Sequence, residues 1–192
     1  MPELSLYTGS LIGRFVRDRR ANAAIEFSFI VPLMIGMFFA TVEFSSAIAA
    51  KGKVTLVTRT LSDLVSQSST VTDLDLTNFN TTGKTIMNPY PVTQLKTRVT
   101  EIYIDPTTKN GKVIWSKGAG MLDLAPNSAI VVPTALQIGG TYLIYSEVSY
   151  QYVPTVGYVM AKTGINLSDV AYTRPRQSGC VRWSTDTACT TY

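Results

Sequence analysis

The chain has 192 residues, a net charge of +4 and no histidine. Without histidine it lacks the commonest general base and the commonest metal ligand, which argues against imidazole-driven or metal-centred catalysis. Positive charge is scattered. Residues 51–192 carry 13 basic and 9 acidic side chains, with no basic patch interleaved with aromatics of the kind nucleic-acid binding requires.

The first feature in chain order is a run of arginines, Arg14, Arg17, Arg19 and Arg20, followed by a long apolar stretch. Residues 27–42 hold no charge, and from Ala23 to Ala50 the only acidic side chains are Glu26 and Glu43. These 28 residues, as a helix, exceed the ~30 Å hydrocarbon core of a bilayer. A cleaved secretory signal has an apolar region of only about 7–15 residues. Ala47-Ile48-Ala49 would be its exit site, but the helical pattern runs past it. Arginines lie ahead of the span, against Lys51, Lys53 and Arg59 behind it. The positive-inside rule therefore predicts a cytoplasmic N-terminus and an exported C-terminal domain, anchored once in the lipid bilayer. Glu26 and Glu43, 17 positions apart, fall about 25 Å apart along a helix. That separation lets each sit near an opposite edge of the hydrocarbon, where an acidic group costs little. Pro32 falls inside the span, where a membrane helix tolerates it.

Arg19-Arg20-Ala21-Asn22-Ala23-Ala24-Ile25-Glu26-Phe27, with Pro32 and Val42-Glu43-Phe44, resembles the N-terminal signature of TadE-like proteins. These are pseudopilins or minor pilins of the tight-adherence (Tad) pilus. Glu147-Val148-Ser149-Tyr150-Gln151-Tyr152-Val153-Pro154 and Arg174-Pro175-Arg176 are similar to that family's C-terminal end. The resemblance implies a basic leader cut by a prepilin peptidase, leaving Glu at the fifth mature position. On this chain the cut falls between Ala21 and Asn22, with Ala21 standing where the family has Gly. The resemblance also implies an assembly role for Glu26 and the neighbouring Phe27. The Glu26 carboxylate of one subunit would neutralise the Asn22 ammonium of the next, fixing register in low dielectric. The alternative for Glu26 is an interfacial carboxylate with no partner.

Beyond the span, Val54, Val57, Leu61, Leu64 and Val65 keep helical spacing, while Thr55, Thr58, Arg59, Ser62 and Asp63 fill the other side. This predicts an amphipathic continuation to Ser66 that packs on the following domain. The helix is expected to begin near Leu11 or Asn22. Thr72 or Asp73 is expected to cap a short helix through Leu76 and Phe79 that ends by Gly83, with Asp73-Leu74-Asp75 as capping residues. Asn88–Pro91 reads as a loop. Arg98–Ile104 and Lys112–Trp115 read as a hairpin around the turn cluster 105–111, and Ala129–Pro133 as a short strand. Tyr142–Val153 alternates, with Tyr142, Ile144, Val148, Tyr150 and Tyr152 on one side and Glu147, Ser149 and Gln151 on the other, which predicts a half-buried antiparallel strand. Tyr142, Tyr145, Tyr150, Tyr152 and Tyr158 are expected to serve strand packing rather than a binding surface.

The expected architecture is therefore α+β and pilin-like. A cytoplasmic leader (1–21) precedes a transmembrane helix (22–50) and an extracytoplasmic α+β domain (51–192) with a small antiparallel sheet. Cys180 and Cys189 are expected to form a disulfide if that domain lies in an oxidising compartment; otherwise they are two free thiols. No nucleophile–base motif, phosphate loop or dinucleotide fingerprint occurs. No enzyme activity, catalytic residue, metal or cofactor is expected. The resemblance implies a bacterial inner-membrane location, prepilin peptidase and other pilin or Tad machinery subunits as partners, and a part in pilus assembly and adhesion. The competing expectation is a membrane-tethered periplasmic scaffold or binding module that never enters a filament.

Overall fold

In the computed structural model the described residues are 19–154, 164–184, 186, 188 and 189, with side chains from Ala23 onward. The first of them belong to one helix, α1, Arg19–Ser66, of 48 residues with Pro32 inside it. The chain is α+β. It divides into two compact units, Met1–Ser45 and Ser46–Tyr192, and α1 contributes to both.

Within the first unit, every described side chain from Ala23 to Ser45 is exposed except Val31 and Glu43. The segment is apolar enough and long enough to cross a membrane. Thr41, one of its few polar residues, returns its hydroxyl to the Met37 carbonyl at 2.8 Å, so it adds no unsatisfied polar group to an apolar surface.

In the second unit the same helix changes character. Ala50, Val54, Val57, Leu61 and Val65 are each at most 1% exposed. They form one apolar core with Val99, Ile144, Val148, Tyr150 and Tyr152 of the sheet. The three- and four-residue spacing read from the sequence is thus the packed stripe of α1 at Val54, Val57, Leu61 and Val65. Leu64 is only partly buried. Thr58 and Ser62, expected on the opposite side, are corrected to buried positions, the Thr58 hydroxyl satisfied by the Val54 carbonyl and that of Ser62 by Thr173.

A short strand β1 (Thr70–Val71) leads into helix α2 (Asp73–Met87). Thr72 caps α2 in a capping box. The Asp75 backbone N–H donates to the Thr72 hydroxyl oxygen, and the Thr72 N–H donates to the Asp75 carboxylate at 2.9 Å. The Thr72 hydroxyl, which donates to the Asp75 carboxylate at 2.7 Å, and then the Thr72 N–H hold that carboxyl below its ordinary value. The expected stop at Gly83 is corrected, since α2 continues to Met87. Gly83 is buried there, and a Cβ on it would lie 3.1 Å from Val57 Cγ1. The glycine lets α2 approach α1 closely and does not end the helix.

Among the described residues the main sheet has five strands in the order β4-β3-β2-β5-β6, all antiparallel. They are β2 (Leu95–Ile104), β3 (Gly111–Ala119), β4 (Ala129–Ile130), β5 (Tyr142–Tyr152) and β6 (Ile165–Thr173). The hairpin strands are longer than expected, and the strand expected over 129–133 is confined to Ala129–Ile130. β6 was not anticipated. The alternation of β5 is as expected, with Tyr142, Ile144, Val148, Tyr150 and Tyr152 all buried. The opposite face carries a second, smaller cluster of Ile102, Ile104, Val132 and Leu143. A last short strand, β7 (Arg182–Trp183), pairs in parallel with β1.

Candidate functional site

The expected assembly residues lie in the first unit. Ala21 and Asn22 fall inside α1 by their backbone, and nothing is described of their side chains. Glu26 is exposed, Phe27 is 68% exposed and Phe29 78%. Ile30, Leu33, Met34, Met37 and Phe38 are likewise exposed. A continuous apolar surface of this kind is not sustained in water and requires lipid or protein around it. Glu26 and Glu43 fall near the two ends of that surface.

In the second unit, residues 174–184 form a strap that ties the end of α1 to the sheet. The Arg176 N–H donates to the Ser66 carbonyl at 2.8 Å, and the Arg176 guanidinium pairs with Asp63 at 2.5 Å. The Arg182 N–H donates to Ser69, and the Ser184 N–H to Val71. Trp115 sends its indole N–H to the Val181 carbonyl at 2.7 Å. Its ring packs against Trp183, over which Lys117 Nζ lies 5.0 Å from the ring centre. Cys180 and Cys189 lie at disulfide distance, with Cα atoms 5.9 Å apart. Cys180 and Val181 belong to the main core.

Under this strap lies a residue that the sequence reading did not single out. Glu101 on β2 is 1% exposed, and its Oε1 accepts the Val181 N–H at 2.6 Å. Burial, more than any other influence, pushes its carboxyl up to about 8, and the charge of Asp186 adds to this; the hydrogen bonds from Val181 and Trp115 act in the opposite direction. The available signal was parity. Glu101 falls between Val99 and Tyr103 on the inward side of an alternating strand, where a carboxylate must find a partner.

The tyrosines divide by strand face. Tyr142, Tyr150 and Tyr152 are core residues, while Tyr145 pairs with Tyr172 on the other face, ring centres 5.0 Å apart. Tyr158 and the leader residues before Arg19 lie outside the described residues. Among the described residues no three His, Cys, Asp or Glu side chains gather in a group that could hold a metal ion.

A family model described as TadE-like protein matches residues 22–61. The matched segment lies wholly within α1. It covers the exposed apolar half with Glu26 and Phe27, and the buried stripe as far as Leu61. No curated protein and no solved structure matches the chain.

Proposed function

We propose that this chain, on the strength of its TadE-like helix, is a pseudopilin or minor pilin-like component of a Tad-type pilus biogenesis system. In this proposal residues 22–50 anchor it in the inner membrane and the α+β domain lies in the periplasm. Prepilin peptidase removes residues 1–21, and the new ammonium of Asn22 meets the Glu26 carboxylate of a neighbouring subunit. An unpaired carboxylate in a low-dielectric helix bundle is costly, so the pair selects one register. Phe27 and the exposed residues that follow supply the apolar contact with lipid or adjoining helices. The β-rich head carries the contacts with other Tad subunits and a part in adhesion. No catalytic role is assigned to any residue.

One observation carries this reading. The TadE-like match spans two physically different halves of one helix. One half is exposed and apolar, and the other is the spine of the head. A simple tether needs only the first half, whereas an assembling subunit also needs its membrane helix continuous with the spine of its head. The test is Glu26→Ala in a piliated host. Membrane insertion and leader removal are expected to persist while surface piliation falls. Unchanged piliation overturns the assembly role and favours the tethered scaffold.

A further inference from the structure

The second unit begins at Ser46, directly after the exposed apolar run of α1. Read as a straight helix, residues 22–50 are about 43 Å long. That is the thickness of a bilayer with its headgroup layers, roughly 40–45 Å. Ser46, four positions before the end of this stretch, lies about 6 Å inside it, within a headgroup layer. A group bonded to Ser46 shares that level.

Tyr90 is so bonded, its hydroxyl donating to the Ser46 carbonyl at 3.0 Å. Its ring meets that of Tyr152 edge-on, with centres 6.1 Å apart, and Tyr152 is the register partner of Ile165 on β6. These contacts define one end of the head. Apolar side chains are left uncovered there: Ile48 is 58% exposed, Ile165 50% and Val92 37%. Pro91, between Tyr90 and Val92, is exposed as well. Tyrosine, with an apolar ring and a polar tip, favours the boundary between hydrocarbon and water.

Charge selects the kind of surface this end fits. Lys51 donates to the Ser168 carbonyl at 2.6 Å and pairs at 3.5 Å with Asp169, the one acidic residue of β6. Lys53 donates to the Ile86 and Asn88 carbonyls, at 2.8 and 2.7 Å, where α2 ends. Lys84 in the last turn of α2 and Lys96 at the start of β2 are exposed and pair with no carboxylate among the described residues. Positive charge is therefore in excess around Tyr90. We propose that this end of the head is a lipid-docking surface that rests in the headgroup layer of an acidic membrane. Val92 and Ile165 reach the boundary with the hydrocarbon, and the lysines meet lipid phosphates. The proposal rests on residues 22–50 being a membrane anchor and not on entry into a filament.

The test places the full chain in lipid nanodiscs containing phosphatidylglycerol and reads backbone amide NMR. One lipid carries a nitroxide on its headgroup, and in a parallel sample another carries it at the end of an acyl chain. The headgroup nitroxide should broaden the Tyr90, Val92 and Ile165 amides. It should spare Thr107, which lies beyond the far end of β2, about 30 Å away. The acyl-chain nitroxide should broaden Phe29. Val92→Asp combined with Ile165→Asp should remove the broadening at Tyr90 and leave that at Phe29, with shifts elsewhere in the head unchanged. Lys84→Glu combined with Lys96→Glu should weaken it. Broadening at Phe29 without broadening at Tyr90, Val92 and Ile165 overturns the docking surface and leaves the anchor standing. No broadening at Phe29 overturns the anchor itself. Equal broadening in discs of phosphatidylcholine alone overturns the acidic surface. Broadening at the three amides that is lost when discs hold two chains instead of one assigns this end to a second copy and overturns the proposal.

Discussion

The buried Glu101 carboxylate accepts the backbone N–H of Val181, 80 residues further along the chain, at 2.6 Å. This contact joins the centre of the sheet to the strap that also holds the end of α1. Its environment is apolar on the side of Val99, Tyr103 and Trp115. The folded protein therefore favours the protonated acid.

A pH dependence follows. With the folded value at about 8 against an ordinary 4.5, the unfolded chain gives up this proton first as pH rises. The contribution of Glu101 to stability is complete below about 4.5 and is lost as pH rises to about 8, by up to about 1.4 kcal/mol per pH unit. Thermal unfolding of the full chain in detergent should give a higher Tm at pH 5 than at pH 8.5. Glu101→Gln, which keeps an acceptor for Val181 without the charge, should flatten that difference. A wild-type Tm that rises over the same interval as steeply as that of the variant would show that Glu101 is not held protonated.

Gly83 predicts a packing effect. Its position faces Val57 Cγ1 at 3.1 Å from an added Cβ, so a methyl group requires small adjustments and a larger side chain separates the helices. Gly83→Leu should destabilise the head by about 1–3 kcal/mol through overpacking, despite leucine's better helix propensity. Chemical denaturation monitored by circular dichroism measures it. A stabilised Gly83→Leu chain would mean that α2 does not pack so closely on α1.

The cysteines predict a covalent closure of the strap. Mass spectrometry of exported protein without reductant should find Cys180 linked to Cys189, and two alkylatable thiols would contradict this. With the two cysteines nine positions apart, replacing both by Ser should cost about 3 kcal/mol. The Glu101–Val181 and Trp115–Val181 contacts lie beside Cys180, so the strap should loosen locally before the head unfolds.

The parts of this fold legible in the sequence are those built from repeated spacing. Val54, Val57, Leu61 and Val65 announce the buried side of α1, and Tyr142 to Tyr152 announces β5. Thr72 and the Asp73-Leu74-Asp75 run announce the start of α2. β6 escaped because its inward positions are not uniformly apolar: Asp169 is satisfied by Lys51 and Thr173 by Ser62, contacts that only the tertiary arrangement supplies. Gly83 misled for a similar reason, since a glycine that ends a helix and one that admits a neighbouring helix look alike in sequence. Of the residues proposed to be functional, Glu26 and Phe27 were nominated by the resemblance of the N-terminal segment, and the cysteines by their nearness in the chain. Glu101 was visible only as an acidic residue at an inward strand position, and its partner, Val181, lies too far along the chain for any local pattern to reveal.

The central claim is that α1 is a processed assembly helix, and the most direct measurement is the intact mass of the chain extracted from membranes of its host. The account predicts a mature chain beginning at Asn22, four residues before Glu26. A chain that retains Met1 through Ala21 would contradict it.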